Sequence, residues 1–322
     1  MGWKCMESSV KKYAVIDLGS NTIRISVYEV QGGSRFHLLF SEKEMAGLAG
    51  YVEKGTMTQA GLERACEALQ NFQHLLQVVD TRRVYVFATA SLRNINNTLE
   101  AVDYLEARTG LRIDVLSGTE EARLGYLGAL AAGGLEKGVL FDIGGGSTEI
   151  VQFDRGVILQ AQSLEIGSLN LFRRNVSGIM PKKSEQEQIR LEIQEKLEEV
   201  KLTGAPFPQL CGVGGTARAV LKLGRLRYGL DAMERTVTME QLRELTELVQ
   251  GKGRRARDMI LRACPDRIHT IIPGMLLMET LCSSLGCREI RISPYGVREG
   301  YLCQKLKNDT ISATHKTGNS AG

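Results

Sequence analysis

The chain has 322 residues, 43% hydrophobic and 24% charged, with a net charge of +4. That is the composition of an ordinary soluble globular protein of about two domains, and it excludes a disordered chain. No apolar run approaches the ~18 residues that span a bilayer, and Met1 to Lys12 lacks a secretory signal's apolar core. The reading is therefore a cytoplasmic protein with no membrane partner.

Seven scattered cysteines without a CxxC pair predict free thiols rather than zinc ligands or disulfides. The modest positive charge permits a polyanion but does not point to nucleic acid. In chain order, the first strand is Tyr13–Asp17. After Gly19 comes a second, Thr22 to Tyr28, in which Ile23, Ile25 and Val27 alternate with Arg24, Ser26 and Tyr28. Leu62, Cys66, Leu69, Phe72 and Leu76 recur at helical spacing and predict a helix over Thr58 to Val78. Short strands follow at Val84–Phe87 and Arg112–Leu116, then a helix from Thr119 and a break at Gly133-Gly134. The opening pattern then returns about 125 residues on: Gly138–Asp142 is a strand ending in Asp, Gly144–Gly146 turns it, and Ser147–Phe153 runs back. Two such units predict two related α/β domains. A helix over 184–201 opens on a Ser184/Glu187 capping box, and Leu210–Thr216 reads as strand, turn and helix. Amphipathic helices alternating with loops are expected from there to Tyr301.

Three Gly-rich turns share one chemistry: Gly19-Ser20-Asn21, Gly144-Gly145-Gly146-Ser147, and Gly212 to Thr216 with Gly214 and Gly215 at its centre. Glycine lets the backbone bend sharply and lets an anion approach N–H groups with no Cβ in the way. The third turn opens a helix, whose N-terminus adds partial positive charge. Together they predict phosphate binding. No Gly-Lys-Ser/Thr follows any of them, so none is a Walker A loop.

Seven segments, in order, carry a resemblance: Val15–Arg24, Ala88–Arg93 through Asn97, Ser117–Leu124, Phe141–Glu149, Gly212–Thr216, Pro265–Arg267 and Gly296–Gly300. The sequence resembles the Ppx/GppA phosphatases, which comprise exopolyphosphatases and guanosine pentaphosphate phosphatases. The fold it implies is α/β, with two actin-like (ASKHA, ribonuclease H-like) domains about an interdomain cleft whose Gly turns grip phosphates. The organisation expected is a flexible N-terminus at 1–11, domain I at 12–133 and domain II at 134–299. A C-terminal helix at 300–306 returns to domain I, and 307–322 is a disordered tail. The chain departs from longer members, which carry a further helical HD-type domain. It departs also at Ile268-His269, where members often have Ala-Asp.

The resemblance implies Glu121 as catalytic base. A carboxylate in a helix's first turn is also kept ionised by the dipole and can take a proton from water. Asp142 and Glu149 are expected to hold Mg²⁺, with Mn²⁺ as substitute, because Mg²⁺ takes one or two carboxylates beside substrate phosphates. Asp17 is placed to hold a metal-bound water or to bond its own turn. Arg93 is expected to grip phosphate through its planar fork; Arg24, Arg298 and the basic run 252–257 have structural readings of equal or greater weight. The implied reaction is hydrolysis of terminal phosphate from polyphosphate, with guanosine penta- or tetraphosphate as alternative ligands and a homodimer compatible. An ATP-dependent sugar or acid kinase of the same fold would need adenosine-binding motifs not found here. A non-catalytic guanosine tetra- or pentaphosphate sensor would not need Glu121, Asp142 and Glu149.

Overall fold

The structure, a computed structural model, describes residues 10–32, 35–251 and 253–318, with side chains to residue 309. The chain forms two units. One runs to Ser117 and takes in the chain again from Tyr301; the other is Gly118–Gly300.

In the first unit, β1 (Lys11–Leu18), β2 (Ile23–Gln31) and β3 (Arg35–Glu44) form an antiparallel meander. A small hairpin of β4 (Val52–Glu53) and β5 (Thr56–Met57) leads into α1 (Gln59–Gln77), capped by the Thr58 hydroxyl accepting from Gly61 N. Then come β6 (Arg83–Ala88), α2 (Ala90–Arg93), α3 (Thr98–Thr109) and β7 (Ile113–Val115). The sheet order is β3-β2-β1-β6-β7, with β6 and β7 parallel to β1. Alternation puts Ala14, Ile16, Leu18, Ile23, Ile25 and Val27 on one face, where they share a core with Leu62, Leu69 and Phe72 of α1.

The second unit repeats the plan. It opens with α4 (Gly118–Ala131), then β8 (Lys137–Ile143), β9 (Thr148–Asp154) and β10 (Val157–Leu164). There follow α5 (Ser168–Asn175), α6 (Lys183–Leu197), β11 (Gln209–Val213), α7 (Gly214–Tyr228), β12 (Thr236–Thr238), α8 (Met239–Gln250), α9 (Arg254–Ala263), α10 (Ile271–Ser284) and β13 (Glu289–Ile292). The last helix, α11 (Val297–Gly318), begins in this unit and continues in the other. The sheet order is β10-β9-β8-β11-β13-β12. Its first five strands have the order and directions of the first unit's sheet, with β12 added antiparallel at the edge. Both units are thus α/β, as the repeated strand–Asp–Gly-turn pattern suggested, and of the ribonuclease H-like, actin-like type that the resemblance implied.

The chain divides ahead of the break expected at Gly133-Gly134, because α4 buries its apolar face in the second unit. Ala122, Tyr126 and Ala129 pack on Leu140, Val151, Phe153, Cys211 and Val213, with the Tyr126 and Phe153 rings 4.9 Å apart. Each large side chain so buried contributes roughly 1.5–3 kcal/mol, which decides where the helix belongs. From Tyr301, α11 covers the other face of the first sheet in the same way. The Tyr301 ring lies 4.8 Å from Phe87, and its hydroxyl donates to Asp114 at 2.6 Å.

Three expectations are corrected. The stretch before Tyr301 holds β12 and β13 as well as helices; both are too short for periodicity to reveal. The helix expected to open at Ser184 begins at Lys183, and the carboxylate closing its first turn is Glu185, which accepts from Lys182 N at 2.7 Å and from Ser177. The tail expected from 307 continues as helix to Gly318, with Asp309 accepting from Arg83 and Tyr85 at 2.7 and 2.9 Å. The flexible N-terminus and the end of the tail were placed on residues that, at 1–9 and 319–322, lie outside the described ones. Lys11 already belongs to β1.

Candidate active site

The two strand–turn–strand hairpins match residue by residue. Asp17 stands opposite Arg24 across β1 and β2; Asp142 stands opposite Glu149 across β8 and β9. In each turn the first glycine donates its N–H to the carbonyl at the return strand, Gly19 to Thr22 at 3.2 Å and Gly144 to Ser147 at 2.9 Å. A Cβ on Gly19 or Gly144 would meet that same carbonyl at 2.9 or 3.1 Å. The charge differs where the geometry does not. In the first unit a carboxylate faces a guanidinium; in the second, two carboxylates face each other.

Around the second hairpin the site assembles. The carbonyls of Gly144, Gly145 and Gly146 all accept from the start of α5: Ser168, Leu169 and Asn170 N–H groups, the Ser168 hydroxyl and the Asn170 amide, between 2.9 and 3.0 Å. A trans peptide points its N–H opposite its carbonyl. The N–H groups of Gly145, Gly146 and Ser147 are therefore turned away from α5, as an anion cradle requires.

Glu149 is 1% exposed and accepts from the Ser163 hydroxyl at 2.7 Å and from Ser147. Burial, then the charges of Glu121 and Asp142, hold its carboxyl well above the ordinary range against those hydrogen bonds. Glu121 reaches this neighbourhood because α4 starts directly on β10: a Cβ on Gly118 would lie 2.4 Å from that of Ser163. Glu120, one residue earlier, is exposed, whereas Glu121 is half-buried.

At the third turn, Gly214 has φ +79°, and a Cβ there would strike Asp142 Oδ1 at 1.9 Å. On Gly215 it would strike the Arg267 guanidinium at 1.8 Å. These two glycines let a carboxylate and a guanidinium lie against the start of α7. Thr216 is buried, and its hydroxyl proton is given to Ile143 O at 2.9 Å, so this side chain ties the third turn to the second. Burial raises the Asp142 carboxyl, while Arg218, Arg267 and Arg298 pull it back. The Arg218 guanidinium is itself brought down to about 10, by burial and then by Arg298, with Glu299 and Asp142 opposing.

The second unit thus brings together Glu121, Asp142, Glu149, Gly144 to Ser147, Gly214 and Gly215. It adds Arg218 and Arg267, to which sequence reasoning gave no role, and Arg298, read there as structural. The readable signal for Arg218 was an arginine between buried Ala217, Ala219 and Val220 on an apolar helix face. The Ile268-His269 departure places the His269 ring 5.2 Å from Phe172 of α5.

The remaining expected residues lie in the first unit. Asp17 is half-buried opposite Arg24. The carbonyls of Ser20 and Asn21 accept from Ala49 N and Gly47 N, both at 2.9 Å. Arg93, at the end of α2, donates to Leu116 O at 3.0 Å.

The donor set suits a hard divalent ion completed by other ligands. Asp142 and Glu149 are two oxygen donors that repel each other in a buried setting, the situation a cation relieves. Among the described residues no group of three or more His, Cys, Asp or Glu side chains could hold a metal ion alone. Waters and phosphate oxygens would have to complete the shell, as Mg²⁺ prefers. No helix among the described residues is long and apolar enough to cross a membrane.

Comparison with known proteins bears on the fold and the family. A Ppx/GppA family member from Aquifex aeolicus is 22% identical, covering 94% of this chain and 99% of its own, with a TM-score of 0.77. An exopolyphosphatase from Cytophaga hutchinsonii is 24% identical over 92% of this chain and 98% of its own, with a TM-score of 0.80. These two likenesses establish the fold. Residues 26–309 match the Ppx/GppA phosphatase family as a whole. The chain belongs to the Ppx/GppA phosphatase family, and with it to the phosphoanhydride hydrolases.

Proposed function

We propose that the chain removes the terminal phosphate of inorganic polyphosphate, using water activated by Glu121 and Mg²⁺ held by Asp142 and Glu149. The observation that carries this reading is the facing pair Asp142 and Glu149, buried beside Glu121 and bordered by Arg218, Arg267 and Arg298. Mg²⁺ bound there supplies neutralisation of phosphate charge. The Gly144–Ser147 turn and the start of α7 offer N–H groups to the phosphate oxygens, and Arg267 lies against that second turn. Glu121 takes a proton from the attacking water while the bridging P–O bond breaks and the shortened chain leaves. Phosphoryl transfer asks a protein mainly for positioning and charge, which is what these groups offer. The Gly19–Asn21 turn and Arg93 remain the expected phosphate contacts of the first unit, and Asp17 its expected holder of a metal-bound water.

The decisive experiment is phosphate release from tripolyphosphate, long polyphosphate, guanosine pentaphosphate and ATP in Mg²⁺, with Glu121→Gln and Glu120→Gln beside the wild type. The expected result is turnover of polyphosphate, reduced ~10²–10⁴-fold by Glu121→Gln and little by Glu120→Gln, with substrate binding retained in both. Faster turnover of guanosine pentaphosphate would move the substrate assignment on the same site. Full activity of Glu121→Gln would remove it as base.

A further inference from the structure

The Gly133-Gly134 break plays no part in the site described above. In the structure, Gly134 has φ +78°, and a Cβ there would fall 2.3 Å from one guanidinium nitrogen of Arg291 and 2.6 Å from the other. Arg291, on β13, donates to Gly134 O at 2.9 Å. The break is therefore a cradle that seats a guanidinium against the backbone. That guanidinium borders a cavity of about 120 Å³ within the second unit. Ala129, Ala132 and Leu135 form one side; Cys211, Ser293 and Arg235 help to form the rest.

Two arginines, Arg235 and Arg291, thus line one small cavity. The carboxylates nearest along the chain are turned to other partners. Glu234 accepts from the N–H groups of Arg235 and Thr236 at 2.9 and 2.7 Å, and Glu289 accepts from the Gln209 amide. The charge of Arg291 is felt inside: it acts to lower the Cys211 thiol, which burial nonetheless pushes up to about 12. That thiol stays protonated and presents no negative charge. The volume is several times the ~10–15 Å³ a single water needs, and with an apolar wall from α4 the charged residues lining it are Arg235 and Arg291. Guanidinium forks match tetrahedral oxyanions in a bidentate way.

We propose that this cavity is a second oxyanion site, separate from the Gly turns, that takes inorganic phosphate through Arg235 and Arg291. Its far wall is not isolated from the reaction centre. Ser293 N donates to Gly212 O at 2.9 Å, just before the third Gly turn, and the Ser293 hydroxyl donates to Tyr295 O at 2.8 Å, just before Arg298.

The test is equilibrium dialysis of the full chain against radiolabelled inorganic phosphate in EDTA at constant ionic strength. The expected result is two phosphates per chain for the wild type. Arg235→Gln and Arg291→Gln should each weaken one of them at least tenfold, and Arg267→Gln, beside the Gly215 turn, should weaken only the other. Arg235→Gln guards against a folding defect, since this residue is half-buried just ahead of β12, and circular dichroism checks each variant. One phosphate per chain lost with Arg267→Gln alone would overturn the proposal. So would two phosphates retained in both Arg235→Gln and Arg291→Gln, or displacement by chloride at equal ionic strength. Failure of Arg267→Gln to weaken any phosphate would instead count against the proposed hydrolytic site and leave this one standing.

Discussion

Glu149 pays a stability penalty for its position, and the penalty is measurable. A carboxyl whose pKa is raised by folding keeps its proton in the native state over a range where the unfolded chain has released it. Its contribution to stability is complete below the ordinary value of 4.5 and falls as pH rises toward the raised native value. In EDTA, the Tm of the wild type should therefore decline as pH rises from about 5. Glu149→Gln keeps an oxygen for the Ser163 hydroxyl but removes the charge opposed by Glu121 and Asp142. It should flatten that decline and raise Tm at neutral pH while abolishing turnover and the stabilisation by Mg²⁺. A lower Tm at neutral pH in Glu149→Gln would mean that the carboxylate is not strained and that the metal assignment has lost its motive.

At the scale of elements, α4 carries Glu121 and α11 carries Arg298 in its first turn, and the two meet through glycines. A Cβ on Gly128 would lie 1.9 Å from Gly296 O, and one on Gly300 would lie 1.9 Å from Leu124 O. Backbone cannot yield as a side chain does, so Gly128→Ala must separate the helices. The expected cost is roughly 1–3 kcal/mol together with a marked fall in kcat, read by thermal unfolding and phosphate release. Unchanged kcat would show that Glu121 does not depend on this crossing. Farther along, α11 is tied to the first unit through Asp114, which accepts from Tyr301 at 2.6 Å and Lys305 at 2.5 Å. Burial works against the Asp114 charge, but the Lys305 and Tyr301 hydrogen bonds outweigh it, and its pKa is lowered. This stabilisation is present above the ordinary 3.8 and is lost as pH falls through the native value. Asp114→Asn should cost about 1 kcal/mol at neutral pH, since the carboxylate is half exposed, and nothing in acid. The elements that sequence made legible were those with strict periodicity, such as α1 and the two Asp-ended hairpins. Edge strand β3, β10 and four-residue β13 were missed because exposure or brevity erases alternation, and the unit boundary was misplaced because Gly133-Gly134 resembles a linker. Arg267 was illegible as a site residue, and the apolar neighbours of Arg218 hinted only at burial, because tertiary packing alone shows what a buried arginine meets.

Over the whole molecule the net charge is only +4, yet positive charge is concentrated on the surface of α9. Arg254, Arg255, Arg257 and Arg262 are exposed there, with Asp258 the one acid on the helix, 3.7 Å from Arg254; Lys252 of the same basic run lies outside the described residues. The helix leads through Pro265–Arg267 to the guanidinium that rests on Gly215. A polyphosphate whose terminal group occupies the Gly turns has the rest of its chain to place, and these arginines are within the same unit. Contacts of this kind are exposed and are screened within a Debye length of ~8 Å at physiological salt. Buried contacts at Arg218 and Arg267 are screened far less. The two sets should therefore separate by ionic strength. kcat/KM for long polyphosphate should fall steeply between low and physiological salt, while kcat/KM for tripolyphosphate changes little. The double substitution Arg255→Gln/Arg257→Gln should reproduce the loss for long chains at low salt, through KM, and leave tripolyphosphate untouched. If long chains are digested equally well at both ionic strengths and by the double variant, the α9 surface plays no part in holding them, and its charge serves solubility alone.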